Sequence, residues 1–152
     1  MGQRCGRAGD AGAAAQAVKK EFLDSSVLVE ACLLHSAKFA EADALIRRPN
    51  ITSAHALAEA YATLSGDKRL GIRPHDAALM VEECAAKLTV AELQAVALRK
   101  VMVSAPALGI TGGLFYEAIH AEVARKTDCT AIRTLNASHF RHVAPDLQVV
   151  PL

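Results

Sequence analysis

The sequence predicts an α/β protein: an α/β/α sandwich around a central, mostly parallel sheet of four to five strands. Three observations predict it. Short β-branched or apolar runs, at Phe22-Leu23-Asp24, Ile51-Thr52-Ser53, Leu88-Thr89-Val90, residues 129–135 and residues 147–150, alternate with longer stretches of helical period. Crossovers of that length join parallel strands rather than hairpins. The core must also be aliphatic, since hydrophobic residues make up 52% of the 152 while aromatics are 4% and Trp is absent. Ala, Leu, Val and Ile are the usual filling of helix-on-sheet layers.

Residues 1–17 are Gly- and Ala-rich with no sustained hydrophobic period, and are expected to form a disordered or vector-derived leader. Residues 18–152 suffice for one domain and are too few for two ordinary ones. Phe22-Leu23-Asp24 ends the first strand, and Ser25-Ser26 caps a helix starting at Val27. Phe39, Ala42, Leu45 and Ile46 share one face of a second helix over 37–48, closed by Pro49-Asn50. The strand Ile51-Thr52-Ser53 feeds a helix whose apolar side is Leu57, Tyr61 and Leu64, with Glu59 on another side, and which stops at Gly66. Pro74 opens a helix with the stripe Ala77, Val81, Cys84 and Leu88. A further helix with Leu93, Val96, Ala97 and Val101 must end or kink before Pro106. Thr111 caps the helix carrying Glu117, Ile119, Val123 and Ala124, and Met80 and Met102 fall on core stripes. Val27, Leu28, Leu33, Phe39, Leu45 and Ile46 are more apolar than one sheet-facing side requires, so some are expected at the surface as a partner groove.

Composition excludes several classes. A net charge of +1 rules out a body that binds nucleic acid by bulk charge, so any polyanion contact must be local. Cys5, Cys32, Cys84 and Cys129 form no C-x-x-C pair, and His35, His55, His75, His120, His139 and His142 show no ligand spacing, so neither a zinc staple nor a thioredoxin-type site is indicated. Reduced, buried thiols and a cytoplasmic location are expected. No apolar run approaches the ~20 residues that span a bilayer, and no signal-peptide core is present, so no membrane contact is expected.

The chemistry lies in the acids. Asp24 sits where the first strand runs out, Asn136 where a later strand does, and Glu59 and Glu117 lie early in helices starting at that same edge. Sites in open parallel sheets form outside the carboxyl ends of the strands, so all four can meet. Each acid alone has an ordinary reading, an N-cap for Asp24 and a solvated helix face for the glutamates. Carboxylates gathered in a low-dielectric pocket, however, cost free energy unless a cation neutralises them. Oxygen donors favour Mg²⁺ or Mn²⁺ over zinc. Lys68, Arg69 and Arg73 form a small basic loop able to touch RNA phosphates, with an ordinary solvated loop as the equal alternative.

Four segments, in order, resemble the PIN-domain ribonucleases, specifically the VapC-type toxins of bacterial toxin-antitoxin pairs. They are Phe22-Leu23-Asp24-Ser25-Ser26-Val27, Ser53-Ala54-His55-Ala56-Leu57-Ala58-Glu59, the run from Gly109 through Gly112-Gly113-Leu114-Phe115-Tyr116-Glu117-Ala118, and Leu135-Asn136-Ala137-Ser138-His139-Phe140. The resemblance implies a PIN-like sandwich over residues 18–152 and a Mg²⁺- or Mn²⁺-dependent endoribonuclease acting on single-stranded RNA. It implies metal ligation by Asp24, Glu59 and Glu117, support from Ser26 and Asn136, a structural His139, a homodimer, and neutralisation by a VapB-type antitoxin. Glu117 stands where the family most often has Asp. That departure keeps alive an alternative, a catalytically degenerate PIN-fold module that binds RNA or protein.

Overall fold

The computed structural model of the protein describes residues 19–152; the leader expected at 1–17 lies outside them. Five strands form one sheet in the order β3-β2-β1-β4-β5, all parallel: β1 (Glu21–Leu23), β2 (Ile51–Ser53), β3 (Thr89–Ala91), β4 (Ala131–Thr134) and β5 (Gln148–Pro151). Seven helices connect them: α1 (Ser25–Cys32), α2 (Phe39–Ile46), α3 (Ala54–Gly66), α4 (Pro74–Ala85), α5 (Ala95–Ser104), α6 (Leu114–Lys126) and α7 (Ala137–Val143), with a 3-10 turn at Ala105–Leu108 after α5.

Alternation along β1 divides the core. Leu23 joins the aliphatic cluster of α1, α2, α3 and α4, whereas Phe22 faces Ile51 on β2, Ile132 on β4 and the apolar sides of α6 and α7. Because side chains of a strand have a period of two, a one-residue slip would invert both layers. The register is therefore fixed by burial on both faces, and with it the position of the residue that follows Leu23.

Several expectations need correction. Helix α1 begins at Ser25, not Val27, with Asp24 as its N-cap residue. Helix α3 turns Ala56, Ala60 and Leu64 inward and leaves Tyr61 40% exposed, because the small residues let α3 lie close to α1. Thr111 does not cap α6; Gly113 occupies that position, with no side-chain cap. Val96 and Met102 are largely exposed, since α5 buries only Ala97. Val27, Leu28, Leu45 and Ile46 are core residues rather than surface ones, and only Leu33 and Phe39 of that set remain half-buried. Helix α7 is an element that the sequence pattern does not predict. Cys32, Cys84 and Cys129 are buried free thiols as expected. Among the described residues, no helix is long and apolar enough to cross a membrane.

Candidate metal centre

The N-cap position would normally spend an Asp side chain on the first amides of its helix. Asp24 does not do this. Its backbone closes the turn, with its carbonyl accepting from Val27 N–H at 3.0 Å, while the carboxylate makes no capping bond. Instead, Oδ2 accepts from Ser26 Oγ at 2.7 Å and from Thr134 Oγ1 at 2.8 Å. Both hydroxyls are themselves oriented by backbone: Leu135 N–H donates to Ser26 Oγ at 3.0 Å and Asn136 N–H to Thr134 Oγ1 at 2.9 Å. Asp24 is only 3% exposed, and Thr134 not at all. One oxygen is thus saturated and held by the end of β4, and the other, Oδ1, accepts only a long contact from Ser25 Oγ at 3.4 Å and is directed toward α3 and α6.

There Oδ1 meets His120, whose Nε2 lies 3.9 Å away and 2.5 Å from Glu59 Oε2. The ring's other nitrogen, Nδ1, is 3.1 Å from Ser53 Oγ, the hydroxyl that caps α3 by accepting from Ala56 N–H at 2.9 Å. Burial would raise the Glu59 pKa, but the hydrogen bond from His120, followed by the charges of His120 and His55, outweighs it and holds the carboxyl below its ordinary value. Glu117 lies one helical turn before His120 on α6, on the same face. Its Oε1 is 3.2 Å from His139 Nδ1, and its Oε2 is buried with no hydrogen-bond partner.

Of the residues singled out in the sequence, Asp24 and Glu59 come together. Glu117 stands on the same side of α6, but its carboxylate is engaged by His139 rather than by that pair. Ser26 touches Asp24 directly, whereas the Asn136 side chain is exposed and only its backbone joins the network. Arg69 pairs with Asp67 and Arg73 with Asp76. Arg69 also borders a groove with residues 32–36, at the end of α1 opposite to Asp24. Two site residues lie outside the sequence expectation: Thr134, and His120, which shows no ligand spacing in the sequence but stands against Asp24 and Glu59 in the fold. The sequence signal available for His120 was its place three residues after Glu117, which puts both on one helix face.

The donor set fits a divalent cation. Asp24, Glu59 and His120 each offer an atom within 4.8 Å of the others, and Glu117 Oε2 is a buried oxygen without a partner.

This arrangement of a parallel five-strand sheet with acids at its carboxyl edge coincides with a family match: the PIN-domain model covers residues 22–145. The chain belongs to the PIN-domain family. Asp24, Glu59, Glu117 and Asn136 all fall inside the matched PIN region. Solved structures with the same fold include the Mycobacterium tuberculosis toxin VapC20, described as cleaving the sarcin-ricin loop, at 19% identity and TM-score 0.60, covering 74% of this chain and 87% of that one. VapBC2 of Rickettsia felis, solved on a DNA fragment of its promoter, matches at 16% identity and TM-score 0.63 over 87% of this chain and 98% of that one. VapBC-1 of nontypeable Haemophilus influenzae matches at 16% identity and TM-score 0.59, covering 86% and 96%. No curated protein sequence matches the chain.

Proposed function

We propose that this PIN domain is a VapC-type toxin, a metal-dependent endoribonuclease that cleaves single-stranded regions of RNA in the cytoplasm. The observation that carries this reading is the use of Asp24: a buried carboxylate at an N-cap position is withheld from capping and fixed by two hydroxyls, leaving one oxygen beside a second acid. A structural Asp needs no such arrangement. Asp24, Glu59 and Glu117 would hold Mg²⁺ or Mn²⁺, which when bound supplies charge neutralisation at the phosphate and acidifies the attacking water. Ser26 and Thr134 fix the aspartate, and Asn136, at the lip, would orient water or the RNA backbone. No side chain need be the nucleophile. Contacts from Lys68, Arg69 and Arg73 would bear on RNA far from the scissile bond, since their loop lies at the other end of α1.

A homodimer and a VapB-type antitoxin complete the proposal. An apolar groove bordered by Leu33, Leu34, Leu70, Ile72 and Met80, with Leu34 largely exposed, would take an amphipathic antitoxin segment. The second reading, a degenerate binding module, draws on the Glu117–His139 pairing, which occupies the acid that should complete the metal shell. One assay separates them. Purified protein is expected to cut single-stranded RNA with Mg²⁺ or Mn²⁺, and to lose this with EDTA or Asp24→Asn. Full cleavage by Asp24→Asn would reject the proposed site, and no cleavage by wild type under any divalent cation would favour the binding module.

A further inference from the structure

His120 is the least expected member of the site. It is 1% exposed, its ring is walled by Phe22 at 5.6 Å, His55 at 5.5 Å and Phe140 at 6.5 Å between centroids, and its Nε2 faces the two acids. An apolar core position would hold Leu or Ile at no desolvation cost, so a buried imidazole here requires polar partners on both nitrogens. It has them, and they differ in kind. On one side lies Ser53 Oγ, a hydroxyl fixed by the N-cap of the helix that carries Glu59; on the other lies a pair of carboxylates. A metal-binding imidazole has the same construction, with one nitrogen donating to an outer partner and the other presenting its lone pair to the ion.

We propose that His120 is a metal ligand, making Asp24, Glu59 and His120 a mixed nitrogen–oxygen centre that selects a first-row transition cation such as Mn²⁺ or Co²⁺ over Mg²⁺. The proposal rests on the reading that Asp24 and Glu59 bind a divalent cation, and it specifies which one. In the metal-free protein Nε2 stands against Glu59 Oε2 and Nδ1 against Ser53 Oγ, so the ring can donate to Glu59 through Nε2. With the cation bound, the imidazole proton resides on Nδ1 and is donated to Ser53 Oγ, and Nε2 is free to ligate. Glu59 must draw back from its 2.5 Å contact, and its side chain, 31% exposed, has the room to do so. Imidazole nitrogen suits first-row transition cations increasingly along the series from Mn²⁺ through Co²⁺, and even Mn²⁺ accepts it more readily than Mg²⁺, which prefers all-oxygen shells and retains its waters. Glu117 Oε2, unpartnered on the same face of α6, is the further oxygen such an ion would recruit.

The test uses the full chain freed of metal and titrated with MgCl₂, MnCl₂ and CoCl₂ in a calorimeter, with pulsed EPR of the Mn²⁺ complex. Wild type is expected to bind Mn²⁺ and Co²⁺ more tightly than Mg²⁺ and to show hyperfine modulation from directly bound nitrogen. His120→Leu should lose the modulation and about tenfold or more in Mn²⁺ affinity, with Mg²⁺ binding changed far less. His120→Gln, which keeps a polar group in the pocket, serves the same comparison if the leucine variant fails to fold. Absence of nitrogen modulation in wild-type Mn²⁺ protein would overturn the assignment of His120 while leaving the acids as ligands. Undiminished Mn²⁺ binding by Asp24→Asn, or no binding of any cation by wild type, would overturn the metal site itself.

Discussion

The two walls of the site are built on different principles. On the strand wall, Asp24 is locked by Ser26 and Thr134, whose hydroxyls are in turn set by backbone amides of the β4–α7 turn, so each hydrogen-bonding group there has a partner. On the helix wall, Glu59 and Glu117 are each met by a histidine, and two buried polar atoms, Glu117 Oε2 and His55 Nε2, have no partner. The strand wall is locked, with only Asp24 Oδ1 turned toward the helix wall. The helix wall is a set of groups awaiting something. A satisfied network rigidifies and positions, whereas unsatisfied buried atoms carry an energetic penalty that a ligand can relieve.

Breaking the strand wall should have the largest effect. Asp24→Asn is expected to lower RNA cleavage at least about 100-fold, the upper end of what even outer-shell metal partners cost. Stability should barely change, because the amide keeps the shape and relieves the repulsion from Glu59 in metal-free protein. Cleavage rates and thermal melts without metal separate the two quantities, and a large drop in melting temperature would show that Asp24 holds the fold rather than the chemistry.

Glu117 tests the other wall. Glu117→Gln removes the charge but keeps the length, and should cut metal-dependent cleavage by about tenfold or more if this acid joins the shell. Glu117→Asp shortens the side chain by one methylene, to the acid that the resemblance to VapC-type toxins implies at this position, and should raise activity while loosening the contact with His139. Steady-state cleavage across a Mn²⁺ titration decides both, and wild-type activity in Glu117→Gln would take Glu117 out of the site. A smaller effect is expected for Thr134→Val, which has the same shape and full burial but no hydroxyl. Asp24 would lose a donor and the Asn136 amide its acceptor, a cost of about 1–3 kcal/mol in urea unfolding. No change would mean that water replaces the hydroxyl.

The two walls also differ in how far the sequence discloses them. β1 ends at the expected residue, and a carboxylate at a strand end needs only the local run Phe22-Leu23-Asp24 to be placed. The parallel sheet followed from the alternation of strand and helix, and Pro74 marked the start of α4. The rotation of a helix is harder to read. In α3, hydropathy favours Leu57 and Tyr61 as the inner face, but close packing favours Ala56 and Ala60, and an error of that size moves every polar residue on the helix. Helix α7, of 7 residues, is too short to show a period. His120 is hidden for a different reason: its spacing from Glu117 places it on the right face of α6, but its partners Glu59 and Ser53 lie 61 and 67 positions away, so the local spacing alone does not mark it as a site residue.

The smallest effect concerns pH and isolates the unpartnered His55. Its ring stacks on Tyr116 at 5.0 Å, and burial, with repulsion from His120, pushes its pKa below the ordinary 6.5 against the opposing pull of Glu59. The unfolded chain therefore takes up a proton before the folded one does as pH falls. Stability should decline from about pH 6.5 downward and level off once pH passes the lowered native value. Glu59 acts elsewhere: a carboxylate held below its ordinary 4.5 contributes stability that is present above that value and is lost only in more acid solution. The Glu59 contribution is lost only below its ordinary 4.5, so a melting series from pH 7.5 to 5 reads the histidine apart from that acid. His55→Phe keeps a ring against Tyr116, removes the unpartnered Nε2 and cannot titrate. It should flatten the decline between pH 6.5 and 5 relative to wild type, and an unaltered slope would show that His55 does not carry the acid sensitivity.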